Sequence, residues 1–157
     1  MQQPVLFLDI HGVLMVMNDR NQHFNTSLPI EDFTPKCVKV LNEILDKTDC
    51  EIIITSTLKD HFTLQELQEV FKYNKVNKLP IGVTTRNFIL LFKDFENIRT
   101  IEILNTVEKL NITNYCVVDD MDLSKLDKHF VQCTEPKTQG ISQIGLKNKI
   151  INTLLNK

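Results

Sequence analysis

Residues 4–14 read Pro-Val-Leu-Phe-Leu-Asp-Ile-His-Gly-Val-Leu, a short apolar run that ends at an aspartate and a tight glycine turn. The run is too short for a helix and apolar enough for a buried strand, which would end at Asp9. A carboxylate at the end of a strand caps the turn that follows, acts as a nucleophile, or binds a hard cation. Asp9 taken alone does not decide among these roles.

Three further segments have the composition of strands. Glu51 to Ile54 and Tyr115 to Val118 are short apolar runs, and His129 to Cys133 is a weaker candidate. Helix-type segments separate these runs, an order that is typical of βαβ units. We therefore predict an α/β fold with a mostly parallel sheet that is covered on both faces. No repeat or linker divides the sequence, and we expect residues 1–157 to form a single domain.

Helix signals lie between the predicted strands. Thr34 and Pro35 have the residue types of an N-cap and a first helical position. Thr63 and Glu66 have the spacing of a capping box. Apolar positions that we assign to one face of a later helix are Ile98, Ile101, Leu104, Val107 and Leu110. The segment from Ile144 to Leu155 predicts a closing amphipathic helix.

The composition is that of an ordinary globular protein, with 42% apolar residues, 24% charged residues and a net charge of −2. This balance gives no general electrostatic reason for nucleic-acid binding. The longest apolar runs are far below the ~18–20 residues that cross a bilayer, and we expect no membrane partner. The cysteines form no Cys-x-x-Cys pair, which favours free thiols and a cytoplasmic location. They are Cys37, Cys50, Cys116 and Cys133.

Polar residues follow three of the predicted strands: Asp9 the first, Thr55 and Ser56 the second, and Asp119 and Asp120 the third. Ligands of parallel α/β sheets bind beyond the carboxyl ends of the strands, and we expect these side chains to meet at one edge. Adjacent carboxylates repel unless a cation or base neutralises them. An isolated Asp-Asp pair is also typical of a solvated turn. Together with Asp9, however, the pair indicates a shared site for Mg²⁺, which prefers carboxylates, waters and phosphate oxygens.

A basic side chain near this edge would hold a phosphate and offset the carboxylates. Arg99 lies on the predicted helix that precedes the third strand, twenty residues before Asp119. Its position alone favours a solvated arginine on a helix. Lys59, Arg86 and Lys93 are further candidates for a phosphate-binding cation.

Four parts of the sequence resemble, in the same order, the four motifs of the haloacid dehalogenase (HAD) superfamily. They are Asp-Ile-His-Gly-Val-Leu at 9–14, Ile-Ile-Ile-Thr-Ser at 52–56, Arg99, and Val-Val-Asp-Asp at 117–120. The resemblance spans about residues 4–146.

Finer features resemble the small HAD domains of the Swiss Army Knife RNA-repair type. They are Thr-Ser-Thr-Leu-Lys at 55–59, Arg-Thr-Ile-Glu-Ile at 99–103, and Phe-Val-Gln-Cys-Thr-Glu-Pro-Lys-Thr-Gln-Gly-Ile at 130–141. The chain departs from that group at Leu58-Lys59, where a Trp-Arg pair is usual.

The resemblance implies a three-layer Rossmann-like HAD core without a cap domain, and a Mg²⁺-dependent phosphomonoesterase. Asp9 would be the nucleophile that forms an aspartyl-phosphate. Thr55 or Ser56 would bind the phosphoryl group, and Arg99 would take the usual basic role. The implied Mg²⁺ ligands are Asp9, the backbone carbonyl of His11, Asp119 and Asp120.

His11 is the departure that bears on turnover, because HAD phosphatases usually carry a second aspartate there. An imidazole can donate and accept a proton near neutral pH, but it is larger and can be cationic beside Mg²⁺. The alternative hypothesis is therefore a HAD-like domain that has lost turnover and binds a phosphorylated ligand or partner. A receiver domain is disfavoured, since the acidic pair of that family comes early in the sequence, whereas Asp119 and Asp120 come late.

The spacing also predicts an open site. About 20 residues separate Leu14 from Pro35, enough for a flap but not for a folded cap. The roughly 40 residues between Ser56 and Arg99 must also supply a helix and a strand. We therefore expect the substrate to present an accessible phosphate, on a nucleic-acid end, a nucleotide or a phosphoprotein.

Overall fold

A five-stranded parallel sheet organises the chain, with the strand order β3-β2-β1-β4-β5. The computed structural model describes residues 2–19, 32–85 and 94–156. The strands are β1 (Val5–Leu8), β2 (Glu51–Ile54), β3 (Gly82–Val83), β4 (Tyr115–Asp119) and β5 (Phe130–Gln132). The three apolar runs with the strongest strand composition thus form the three central strands.

In the described part of the chain, three α-helices connect successive strands, and a fourth follows β5. They are α1 (Pro35–Thr48), α2 (Leu64–Tyr73), α3 (Phe95–Lys109) and, after β5, α4 (Leu146–Leu154). The predicted start of α1 is confirmed, with Thr34 as N-cap and Pro35 as first helical residue. The capping box of α2 is also confirmed, because Thr63 and Glu66 exchange both hydrogen bonds. Among the described residues, no helix combines the length and apolar character needed to cross a bilayer.

Helices cover both faces of the sheet. On one face, Leu6 and Leu8 pack with apolar side chains of α1, α2 and α4. On the other face, Val5 and Phe7 pack with Ile103 of α3. The alternation along β1 follows from the two-residue period of a strand. The predicted three-layer Rossmann-like α/β core is therefore confirmed. The prediction that no cap domain is present depends on residues 20–31 and 86–93, which lie outside the described residues.

The buried side of α3 is not the one that the apolar spacing predicts. Leu104 and Leu110 are 45% and 48% exposed. The buried residues of the helix are instead Arg99, Thr100, Glu102, Ile103 and Thr106. A strict three-residue spacing rotates by about 60° per step around a helix of 3.6 residues per turn, so the predicted positions do not form one face. The face that meets the sheet is largely polar.

Two predicted boundaries also differ. The closing helix begins at Leu146, because Ile144 is 99% exposed and lies before the helix. Strand β5 lacks His129 and Cys133, the two ends of the predicted segment. Side-chain composition does not fix where backbone pairing stops, so such ends are the least predictable part of an element.

The register of the sheet brings the strand ends together. Leu8 is paired with Ile54 on one side and with Val118 on the other. The N–H of Asp9 donates to the Val118 carbonyl over 3.1 Å, and the N–H of Thr55 donates to the Leu8 carbonyl over 3.0 Å. The chain fills the β2 side of β1 first and then crosses to the β4 side. The carboxyl ends of β1 and β4 therefore form a topological switch point, where α/β sheets bind ligands.

All four cysteines are buried and unpaired. Cys37 lies in α1 and Cys116 in β4, whereas Cys50 precedes β2 and Cys133 follows β5. Burial raises the pKa of the Cys116 thiol to about 12. The predicted free thiols are thus confirmed.

Candidate active site

Three acidic side chains meet at the carboxyl ends of β1 and β4. Oxygens of Asp9, Asp119 and Asp120 all lie within 4.8 Å of one another. Asp9 and Asp119 are buried, and Asp120 is partly buried. The structure thus brings together the three carboxylates that the sequence placed at strand ends.

Arg99 joins two of these carboxylates from α3. Its Nη1 lies 2.7 Å from Asp119 Oδ2 and 3.3 Å from Asp9 Oδ1. The side chain is buried, which excludes the solvated arginine that its position alone left open. The other oxygen of Asp119, Oδ1, accepts the N–H of Met121 over 2.9 Å. Both oxygens of Asp119 therefore have a donor.

Gly12 lets the loop after β1 approach the acidic centre closely. A Cβ at this position would lie 2.7 Å from Asp120 Oδ2 and 3.0 Å from Pro136 Cβ. Such distances are too short for any side chain, so a larger residue would displace the carboxylate. The Asp120 carbonyl also accepts a hydrogen bond from the Gln132 side chain over 3.1 Å. Steric contact with Asp120 therefore explains why the residue after His11 is a glycine.

The two hydroxyls after β2 have different surroundings. Ser56 Oγ accepts the N–H of Leu58 over 3.3 Å and caps the 3₁₀ helix at Thr57–Asp60. Thr55 Oγ1 is buried and has no hydrogen-bond partner among the described residues. An unpaired buried hydroxyl costs free energy unless a ligand or water satisfies it. Thr55 is therefore the better placed of the two to bind a ligand oxygen.

His11 lies two residues beyond Asp9, in the loop after β1, and is partly exposed. Its backbone forms an isolated bridge with Met15, and the N–H of Gly12 donates to the Met15 carbonyl over 2.8 Å. The loop therefore turns back on itself directly after the acidic strand end. Arg86 and Lys93, two of the predicted alternative cations, lie outside the described residues.

A second polar cluster lies beyond Arg99 on α3. Lys59 Nζ pairs with the Glu102 carboxylate and donates to Thr84 Oγ1 over 2.7 Å. All three residues are buried. The sequence singled out Lys59 only as a candidate phosphate-binding cation and gave no sign of Thr84. The one available signal was the position of Glu102, three residues after Arg99 on the same predicted helix.

A comparison with protein families matches residues 5–143 to the model described as the HAD domain in Swiss Army Knife RNA repair proteins. The chain belongs to this family. Membership indicates a hydrolase of the HAD type. Searches of the curated proteins and of the solved structures return no significant match.

The acidic centre of this HAD domain holds more negative charge than Arg99 balances. Burial, followed by repulsion from Asp119, raises the pKa of Asp9 to about 8, although Arg99 opposes the rise. Burial also raises the pKa of Asp119. Oxygen-only ligands of this kind suit Mg²⁺ rather than a softer metal. The donor set therefore fits the divalent cation that HAD enzymes use.

We predict that Asp9→Asn stabilises the metal-free HAD domain, and that the gain grows with pH. Between pH 4 and pH 8 the unfolded chain loses the Asp9 proton while the folded chain retains it, so ionisation favours unfolding. The gain should rise by roughly 1–3 kcal/mol from pH 5 to pH 8, since one pKa unit corresponds to about 1.4 kcal/mol. Urea unfolding in the presence of a chelator measures it.

The matched control is Asp122→Asn on the exposed surface. Hydrogen bonds from Ser124 lower the pKa of Asp122, so its carboxylate is ionised in the folded and the unfolded chain throughout this range, and the effect of this variant on stability should be the same at pH 5 and pH 8. If Asp9→Asn gains the same stability at pH 5 and pH 8, the pKa of Asp9 is not raised in the folded chain, and the prediction is contradicted.

Proposed function

We propose that this chain is a Mg²⁺-dependent phosphomonoesterase that acts through an aspartyl-phosphate on Asp9. The observation that carries the proposal is the buried centre of Asp9, Asp119 and Asp120, with Arg99 bound to two of them. An unsatisfied hydroxyl on Thr55 stands at the end of the neighbouring strand. A nucleophile, a set of hard oxygen ligands and a phosphate donor thus share one sheet edge.

The proposed Mg²⁺ ligands are the carboxylates of Asp9, Asp119 and Asp120 and the backbone carbonyl of His11. When bound, the ion would neutralise charge on the phosphoryl oxygens. Arg99 would hold Asp9 and Asp119 in orientation through the contacts described above. These roles are the ones that the HAD motifs give to the matching residues, and the fold brings those residues together at one edge of the sheet.

In the proposed reaction, an oxygen of Asp9 attacks the phosphorus in line with the leaving oxygen. The new bond between Asp9 and phosphorus forms as the ester bond breaks, and His11 gives a proton to the leaving oxygen. His11 then takes a proton from water, which attacks the phosphorus and releases inorganic phosphate. Thr55 would donate to a phosphoryl oxygen during both steps, and Asp9 returns to its carboxylate form.

The proposed substrate is an accessible phosphate on a nucleic-acid end or a nucleotide, with a phosphoprotein as the other class. The family description, which refers to RNA repair, favours the first two. We place the protein in the cytoplasm, where reduced thiols such as the four buried cysteines persist.

The decisive test is a phosphatase screen with Mg²⁺ over nucleotides, phosphorylated nucleic-acid ends, phosphopeptides and sugar phosphates. We expect hydrolysis of a nucleotide or nucleic-acid phosphate, and a loss of more than about 10³-fold in Asp9→Asn because the attacking oxygen is gone. Asp122→Asn makes the same chemical change on the surface and should retain activity. Beryllofluoride should trap a phosphoenzyme analogue in the wild type but not in Asp9→Asn, and normal hydrolysis by Asp9→Asn would refute the proposal.

Variants at Thr55 and Ser56 should have different effects, one on substrate binding and the other on the stability of the fold. Thr55→Val removes the unsatisfied hydroxyl, and we expect kcat/KM to fall about tenfold or more without a loss of stability, because the missing bond is one to substrate. Ser56→Ala removes the cap of the 3₁₀ helix, and stability should fall by about 1 kcal/mol. Steady-state kinetics and urea unfolding measure the two effects. The reverse pattern would assign the phosphate contact to Ser56.

A second candidate function follows from His11, which stands where the family usually has an aspartate. If His11 is the acid and base, His11→Ala should slow turnover by roughly 10²–10⁴-fold. If the domain only binds a phosphorylated ligand, His11→Asp should raise hydrolysis well above that of the wild type. We expect the first result, since the other HAD motif residues are in place. Equal rates for wild type and His11→Ala would exclude a catalytic histidine.

A further inference from the structure

Asp119 and Asp120 are consecutive in the sequence, yet their carboxylates meet at one place. Oxygens of the two side chains lie within 4.8 Å of each other and of an Asp9 oxygen. In a β-strand, successive side chains point to opposite faces of the sheet. The backbone must therefore depart from strand geometry here, and β4 does end at Asp119. The acidic centre thus depends on a turn at Asp119 and Asp120.

Within the described residues, two hydrogen bonds that involve side chains hold this turn. Asp119 Oδ1 accepts the N–H of Met121 over 2.9 Å, and this bond uses an oxygen of a proposed metal ligand. The Asp120 carbonyl accepts the side-chain amide of Gln132 over 3.1 Å. A carbonyl oxygen can only accept, so the Gln132 nitrogen is the donor. The second bond therefore comes from a residue outside the acidic centre and leaves every carboxylate oxygen free.

The sheet places Gln132 for this contact. Gln132 is the last residue of β5, and the register of the two strands pairs it with Asp119. The N–H of the next residue, Cys133, donates to the Asp119 carbonyl over 2.9 Å, so the pairing continues to the point where the turn begins. A side chain on a paired strand is held more precisely than one on a loop. Gln132 is therefore a fixed support for the neighbouring strand end.

Asp120 depends on this support more than the other two carboxylates do. Asp9 and Asp119 are both bound to Arg99. Among the residues that the structure describes, the bond from Gln132 is the one hydrogen bond that Asp120 makes. The direction of the Asp120 carboxylate is therefore set by its backbone, and that backbone is held from β5.

We propose that Gln132 is a positioning residue for Asp120: its amide holds the carbonyl, and the carboxylate stays turned towards Asp9 and Asp119. Removing a partner that orients a metal ligand from outside the coordination sphere typically weakens metal binding by about 10- to 100-fold. Gln132 should therefore determine how tightly the acidic centre binds a divalent cation. The inference rests on the proposed function in taking Mg²⁺ as that cation, and it requires no substrate.

The test measures the Kd of Mg²⁺ alone by isothermal titration calorimetry in Gln132→Met. Methionine is similar in length but has no N–H, so the Asp120 carbonyl loses its donor. The matched control is Gln68→Met, which removes the same kind of bond, from a side-chain amide to the Pro80 carbonyl over 2.9 Å, between α2 and the chain before β3. A metal-free readout is the hydrogen-exchange rate of the Met121 N–H, which lies within the turn.

We expect Gln132→Met to raise the Kd about tenfold or more and to speed exchange at Met121, whereas Gln68→Met should change neither. The Asp120→Ala background distinguishes a specific effect from a general one. There, adding Gln132→Met should change the Kd by less than about twofold, because the carboxylate that Gln132 positions is gone. If Gln132→Met does not fold, Gln132→Asn replaces it, since the shorter side chain retains an amide that no longer reaches the carbonyl.

An unchanged Kd, or an unchanged exchange rate at Met121, in Gln132→Met would overturn the inference. An equal rise of the Kd in Gln68→Met would also overturn it, since the effect would then be a general loosening of the fold. The same holds for a further large rise when Gln132→Met is added to Asp120→Ala.

The inference and the proposed function fail in different ways. A wild type that binds Mg²⁺ but hydrolyses no phosphate would end the proposed function and leave the role of Gln132 standing. Hydrolysis by the wild type, with an unchanged Kd in Gln132→Met, would end the inference alone. A wild type that binds no Mg²⁺ would overturn both.

Discussion

The arrangement of the sheet edge depends on the ion pairs that Arg99 forms with two carboxylates. Arg99 is the buried cation that contacts both Asp9 after β1 and Asp119 at the end of β4, and it reaches them from α3. Burial and mutual repulsion raise the pKa of Asp9, and Arg99 opposes that rise. The helix must therefore turn a charged face towards the sheet. This requirement explains why α3 leaves Leu104 exposed while it buries Arg99.

The local signals in the sequence predicted much of the fold. The N-cap at Thr34 and the capping box at Thr63 depend on residues a few positions apart, so they can be found without tertiary contacts. The convergence of Asp9 and Asp119 was also predictable, because parallel strands place their carboxyl ends at one edge. What the pattern could not supply was the side of α3 that faces the sheet.

The parts of the site that escaped prediction depend on partners distant in sequence. Glu102 reads as a solvated helix residue until Lys59, 43 positions away, is seen to pair with it. Thr55 and Ser56 carry adjacent hydroxyls, and the sequence alone does not show which of them would bind the phosphoryl group. The bond between Ser56 and Leu58 separates them, and it exists because a 3₁₀ helix begins there. Burial of a charged group is a tertiary property, so composition and spacing do not reveal it.

The buried cysteines give the molecule a set of internal probes. A thiol reacts as its thiolate, and both burial and a raised pKa suppress that form in the folded chain. Cys50 lies just before β2, at the amino ends of the strands, and Cys133 lies just after β5, at the carboxyl ends, so each end of the sheet carries one thiol. The rates at which an alkylating reagent modifies these two cysteines therefore report how often each end opens. Fraying beside the acidic centre can in this way be distinguished from unfolding of the whole sheet, without introducing any label.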